Sequence, residues 1–195
     1  MKVIGVTGGV GAGKSTVLRY LEERYRARVI QADQTGHEVM EPEEEAYGRV
    51  VAEFGGQILS ADGRIDRGVL SGIVFADGEK LKKLNAIVHP AVKKEILKRI
   101  AQAAAENEAY TGVEAALFFE EKYDAFCDET WYIYTHEAER RRRLKRSRGY
   151  SDERIDQIVR NQKSHEELLK RCDCVIDNNG TAEDTCRQID KRMRD

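Results

Sequence analysis

Three observations predict a three-layer, doubly wound α/β fold around a parallel five-stranded sheet. Five short apolar runs, at about 2–7, 28–32, 110–116, 129–135 and 172–177, are mostly rich in Val, Ile, Tyr or Trp. Helical patterns separate them, the alternation of a parallel sheet buried on both faces. A glycine-rich loop follows the first run directly, where sheets of this kind meet phosphate groups.

The first run, Val3-Ile4-Gly5-Val6-Thr7, leads into Gly8-Gly9-Val10-Gly11-Ala12-Gly13-Lys14-Ser15-Thr16, a complete G-x-x-x-x-G-K-[ST] loop. Its glycines let consecutive backbone N–H groups turn toward phosphate oxygens, Lys14 reaches the β- and γ-phosphates, and the Ser15 hydroxyl suits Mg²⁺. Val17, Leu18 and Leu21 then repeat at helical spacing, so the strand–loop–helix context of the motif is present. The loop predicts a nucleoside triphosphate with its Mg²⁺ ion.

The second run ends at Asp33, where a carboxylate at the carboxyl end of a strand would orient an acceptor hydroxyl and take its proton. Spacing alone equally allows a helix cap there. Residues 34–109 are far too long for one crossover and read as consecutive helices. Tyr47, Val50, Val51 and Phe54 form one apolar face that stops at Gly55-Gly56. Leu70, Ile73 and Val74 follow on a helix begun near Asp66, after an Asp62-Gly63 turn. Leu81, Leu84, Ile87 and Val88 give a third face, and His89-Pro90 is expected to break it and open another helix bearing Val92, Ile96, Leu97 and Ile100.

After the fourth run, residues 136–148 carry the densest charge of the chain. Arg142 and Arg146, four apart, share a helical face and suit a phosphate clamp. Ser151 caps a further helix, and Ser164-x-x-Glu167 and Thr181-x-x-Asp184 are capping boxes. Asp177-Asn178-Asn179-Gly180 follows the fifth run. It offers amides to a purine edge, though Asn-Asn-Gly is also ordinary turn chemistry.

Composition limits the rest. The 195 residues are 41% hydrophobic, enough for one α/β domain. A net charge of −2 weakens the case for a nucleic-acid partner, and no run reaches transmembrane length. The expectation is a cytoplasmic protein, a monomer or weak homo-oligomer, with no nucleic acid and no membrane among its partners. Cys127, Cys172, Cys174 and Cys186 are too few for a disulfide scaffold; Cys172 and Cys174 are expected to face one way on a strand as reduced packing thiols.

These residues together resemble the dephospho-coenzyme A kinase family, from the loop to about Arg187. The matching pieces are Thr7 to Thr16, Ala32-Asp33, Glu41-Pro42, Glu53-Phe54-Gly55 and Asp62-Gly63-x-Ile65-Asp66-Arg67-x-x-Leu70. Phe75, Leu84-Asn85-x-Ile87-x-His89-Pro90, Leu117-Phe118-Phe119-Glu120, Arg142-x-x-x-Arg146, Gln162 and Asp177-Asn178-Asn179-Gly180 complete them. The loop is widely shared among nucleotide-binding proteins; the Leu-Asn…His-Pro and Asp-Gly-x-Ile-Asp-Arg stretches are far more selective.

The resemblance implies Mg²⁺- and ATP-dependent phosphorylation of the ribose 3′-hydroxyl of dephospho-coenzyme A. It implies catalytic roles for Asp33, Lys14 and Arg142. ATP contacts would come from Gly9, Gly11, Ala12, Gly13, Lys14, Ser15, Thr16, Arg142, Arg146, Asn178, Asn179 and Gly180, with Ser15 on the metal and Asp33, Arg67 and His89 toward the acceptor. For His89, fixing a helix start before Pro90 is an equal alternative. In these terms residues 1–195 form one kinase domain: a core of 1–33, 110–135 and 165–195, a helical acceptor-binding insertion at 34–109, and an arginine-bearing lid at 136–164. Gln31 stands where relatives commonly carry a first Asp, Ala116 where many have Pro, and Glu43 where Gly is usual. The last two, with Glu114 and Glu120-Glu121 around Ala116, read as local backbone variation. A nucleoside monophosphate kinase would share the loop and the arginines without the 34–109 signature, and a nucleotide switch would need neither Asp33 nor a lid.

Overall fold

A computed structural model describes residues 1–194. Five strands, β1 (Lys2–Thr7), β2 (Arg28–Gln31), β3 (Tyr110–Glu114), β4 (Glu129–Tyr134) and β5 (Cys174–Asp177), form one parallel sheet in the order β2-β3-β1-β4-β5. The predicted sheet is therefore present, and β1 is its centre. Val6 lies opposite Glu114 of β3 and Trp131 of β4, which brings three carboxyl-terminal strand ends to the loop that follows β1.

The chain divides into two compact units, Met1–Val29 with the chain from Ala103 onward, and Ile30–Gln102. In the first unit, helix α1 (Lys14–Tyr25) lays Val17, Leu18 and Leu21 on Ile4 and Val6, with Trp131, Ile133 and Ile176 from the neighbouring strands. Each such side chain, taken fully out of water, contributes about 1.5–3 kcal/mol before entropy is set against it. Asp128 accepts from the Val3 N–H at 2.7 Å, and Asp173 accepts from the Thr130 N–H at 2.8 Å, so carboxylates close the ladder at the far end of the sheet.

Helices α6 (Glu137–Arg148), α7 (Asp152–Arg160), α8 (His165–Arg171) and α9 (Ala182–Arg192) belong to this unit, and α2 to α5 lie between β2 and β3. The Ser151 hydroxyl accepts from Arg154 N–H, and both capping boxes form, Ser164 with Glu167 and Thr181 with Asp184. Cys172 lies outside β5, at the end of α8, so the expected shared strand face exists for Cys174 alone. Burial pushes the Cys172 and Cys127 thiols up to about 12, well above the range in which a thiolate forms at neutral pH.

The second unit is helical: α2 (Ala32–Glu38), α3 (Tyr47–Phe54), α4 (Arg67–Phe75) and α5 (Gly78–Ala105), the last continuing into the first unit. Gly55, at φ 81°, ends α3, and the Asp66 carboxylate caps α4 by accepting from Gly68 and Val69 N–H at 2.8 and 3.0 Å. Val50, Phe54, Leu70, Val74, Val92 and Ile96 are buried.

Two expectations fail here. No helix break occurs at His89-Pro90: α5 runs through Pro90 for 28 residues. The proline removes one N–H from the helical ladder, while Ile87, Ala91, Val92 and Ile96 on both sides bury the same helix face and hold the rod together. His89 therefore sits mid-helix and starts nothing. Asp33 does not end a strand either; β2 stops at Gln31, and Asp33 lies in the first turn of α2, whose Ncap position belongs to Gln31.

Candidate active site

The loop after β1 is held from behind by the ends of β4 and β5. The Ala12 carbonyl accepts from the Asn178 amide at 2.7 Å and from the Thr135 hydroxyl at 2.9 Å. Thr185 in turn donates to Asn178 Oδ1 at 2.9 Å, and Arg143 donates to the Asn178 carbonyl at 2.9 Å. Gly13 adopts φ 93°, and a Cβ there would lie 2.1 Å from the Asn178 amide nitrogen. Asn178 is thus a buried bracket under the loop, its amide directed to Ala12 and Thr185 where a purine edge was expected. Asn179 is similarly engaged: it accepts from the His136 N–H at 2.7 Å and donates to Asp177 at 2.7 Å.

Removing that bracket leaves the Ala12 carbonyl with Thr135 and the Thr185 hydroxyl with the longer bond to the Thr181 carbonyl at 3.3 Å. Asn178→Ala is expected to cost about 2 kcal/mol, a fall in Tm of roughly 5 °C in a thermal melt. An unchanged melting curve would mean that water replaces the amide without loss.

Lys14 donates to the Gly8 carbonyl at 2.9 Å and lies 3.4 Å from the Glu114 carboxylate. Glu114 is buried at the carboxyl end of β3, a carboxylate across the strand pair from the loop. In the sequence Glu114 reads as local variation; its place at the end of a strand next to β1 is what turns an acid toward the phosphate loop.

The arginine run forms α6, as its charge pattern predicts, and its members go to different places. Arg140 donates through Nε to the Val10 carbonyl at 3.0 Å and through Nη2 to Gln162. Its guanidinium lies directly over the loop: a Cβ on Gly9 would fall 2.3 Å from its central carbon. Burial draws its pKa below the ordinary guanidinium range. Arg142 is exposed and pairs with Glu139 at 2.8 Å, and Arg143 pairs with the same carboxylate at 2.9 Å. These two guanidiniums hold the Glu139 carboxyl down to about 2. The pairing is therefore intact at neutral pH and is lost only as pH falls from the ordinary glutamate range toward that value. Arg141 is taken by Glu137 and Asp156.

Two cavities adjoin the loop. A groove of about 450 Å³ is lined by Gly13, Thr16, Arg142, Arg146, Asn179 and Gly180 among others, so the structure does bring these predicted residues together. A larger cavity, about 720 Å³, opens on Gly8, Gly9, Lys14 and Arg140 and is walled by Tyr132, Tyr134, Ile158, Val159 and His165. Ser15 and Thr16 are exposed at the start of α1.

In the other unit, Asp33 and His37 are one turn apart on α2, and the charges of Asp33 and of Arg67, at the start of α4, both act on the His37 ring. Partial burial and then the Arg67 charge lower the His37 pKa, against the pull of Asp33 and Glu38. Arg67 is exposed and His89 half-buried.

This site geometry accompanies a match to the dephospho-CoA kinase family model over residues 2–184. The chain belongs to the dephospho-CoA kinase family. The dephospho-CoA kinase of Carboxydothermus hydrogenoformans is 41% identical over 189 residues, covering 97% of this chain and 91% of the relative. That of Geobacillus kaustophilus is 39% identical over 186 residues, covering 95% and 92%. Among solved structures, TT1252 from Thermus thermophilus superposes with a TM-score of 0.81 at 30% identity, covering 99% and 96% of the two chains. A dephospho-CoA kinase from Campylobacter jejuni superposes with 0.74 at 27%, covering 100% and 96%. Shikimate kinase from Acinetobacter baumannii, at 0.59 and 17%, shares the fold. As a member of the dephospho-CoA kinase family the protein is an ATP-dependent kinase, a transferase of coenzyme A biosynthesis.

Proposed function

We propose that this chain phosphorylates the ribose 3′-hydroxyl of dephospho-coenzyme A at the loop over which Arg140 lies. The observation that carries the reading is the convergence of Lys14 and Arg140 on one rigid loop, in a chain of this family. Phosphoryl transfer is mainly positioning and charge stabilisation, and these two cations supply both at the γ-phosphate. Asp33 orients the acceptor hydroxyl and takes its proton as the oxygen bonds to phosphorus and ADP leaves. Backbone N–H groups of Gly9 to Thr16 hold the phosphates, and Arg142, Arg146 and the Asn178–Gly180 turn border the adenosine side of ATP. Arg67 and His89 serve the acceptor within a helical acceptor-binding region at 34–109, and residues 136–164 form the arginine-bearing lid.

Mg²⁺ fits the donors present: the Ser15 hydroxyl and the Glu114 carboxylate are hard oxygen ligands near the loop. Among the described residues no group of three or more acidic, His or Cys side chains is placed to hold a metal ion. The ion would therefore share its coordination with phosphate oxygens and water. When bound it neutralises charge on the β- and γ-phosphates. No described helix is long and apolar enough to cross a membrane. We place the protein in the cytoplasm as a monomer or weak homo-oligomer, with ATP and dephospho-coenzyme A as its small-molecule partners and no nucleic acid.

ADP release with Mg²⁺-ATP and, in turn, dephospho-coenzyme A, AMP, CMP or UMP tests the acceptor. Stimulation by dephospho-coenzyme A is expected; stimulation by a monophosphate alone would overturn the reading. Arg142→Ala, exposed and tied to Glu139, is expected to lower turnover by about tenfold. Unchanged turnover with unchanged ATP affinity would return Arg142 to the solvated surface.

A further inference from the structure

We infer that the 720 Å³ cavity seats the adenine of the acceptor, with His165 and Tyr134 as its ring platform. The inference rests on the acceptor reading above and adds where the nucleoside end of that acceptor lies. The two cavities meet the loop at opposite ends. Lys14, Gly8 and Gly9 open on the larger one, Gly13 and Thr16 on the groove. A loop lysine reaches the β- and γ-phosphates, whereas the following helix start cradles the α side, so the adenosine of ATP leaves toward the groove. The γ-phosphate then faces the larger cavity.

The chemistry of the acceptor supplies the next step. Its reacting 3′-hydroxyl and its adenine sit on the same ribose, a few bonds of about 1.5 Å apart. A base so close to the reacting oxygen has to occupy space next to the γ-phosphate. The larger cavity has walls suited to a flat heteroaromatic ring. The His165 ring lies 4.4 Å from Tyr134, centroid to centroid, at an interplanar angle of 32°. Its Nδ1 is 3.2 Å from the Tyr132 hydroxyl, and the Ser164–Glu167 capping box fixes the backbone that carries it. Ile158 and Val159 add apolar wall, and the rim offers hydrogen-bonding partners in Gln162 and in Lys163, itself 3.0 Å from Glu120. Such a surface favours stacking, with rim polar groups for the base edge. A pantetheine chain, flexible and without a ring, would gain little from it.

The test is steady-state kinetics on the wild type, His165→Ala and His165→Phe, with KM measured separately for each substrate, and with AMP and 4′-phosphopantetheine as inhibitors against dephospho-coenzyme A. Loss of the ring is expected to raise the acceptor KM about tenfold and weaken AMP inhibition in parallel. The ATP KM should stay within about twofold and 4′-phosphopantetheine inhibition should not change. His165→Phe should recover most of the loss, since it keeps a ring. Should the alanine variant not fold, Val159→Phe, which crowds the cavity wall, carries the same expectation for the acceptor KM and AMP inhibition. An unchanged acceptor KM and AMP inhibition, or a rise confined to the ATP KM, would overturn the assignment. A wild type with no dephospho-coenzyme A-dependent ADP release contradicts the functional reading instead, and weaker AMP binding to His165→Ala, measured directly, would still support a nucleoside seat in the cavity.

Discussion

Asp33→Asn is expected to reduce turnover by at least about a hundredfold with little change in ATP affinity, the scale of losing a positioned general base. The amide keeps the size and hydrogen-bonding capacity of the side chain, but cannot take the proton of the acceptor hydroxyl. Asp33 is exposed in the first turn of α2, so stability should be preserved. Nucleotide titration and single-turnover phosphoryl transfer measure the two halves separately. Weak ATP binding with normal transfer would move Asp33 to the nucleotide side and remove it from the chemistry.

Arg140→Ala is the second large effect: turnover should fall by about a hundredfold or more, the magnitude of one lost cationic contact at a transferring phosphoryl group. The Val10 carbonyl and Gln162 fix the plane of this guanidinium over Gly9. Arg140→Lys should restore little, because an ammonium cannot hold both contacts and present a fork to phosphate. A lysine variant with near-normal turnover would show that charge alone suffices. A loss of Tm without a loss of turnover would make Arg140 a brace for the loop and nothing more.

Much of this molecule is legible in its residues because local chemistry decides it. The loop at Gly8–Thr16, the Asp66 cap and the two capping boxes each satisfy backbone groups within a few residues, and all form where the spacing puts them. What was illegible depends on contacts distant in sequence. Pro90 punctuates a sequence, yet burial on both sides of it carries α5 through. Asn178 reads as a turn residue or a purine reader, and becomes a bracket because β5 ends beside Ala12, 166 residues away. Four consecutive arginines, Arg140 to Arg143, offer no spacing by which to choose among them. The usable signal was Leu144, the single buried residue of α6: Arg140, one turn before it, shares that inward face, whereas Arg142 does not. Glu114 is illegible for a related reason: it comes beside Lys14 of α1 only because β3 pairs with β1, a strand order that the sequence does not display.

The central claim, transfer to a ribose 3′-hydroxyl, is tested most directly by the product. Incubation with Mg²⁺-ATP and dephospho-coenzyme A, followed by mass and ³¹P NMR analysis, should yield one ADP for each acceptor gaining a single phosphate monoester at the 3′-oxygen. ATP consumed with no phosphate on the acceptor, or a monoester at any other oxygen, would contradict the account.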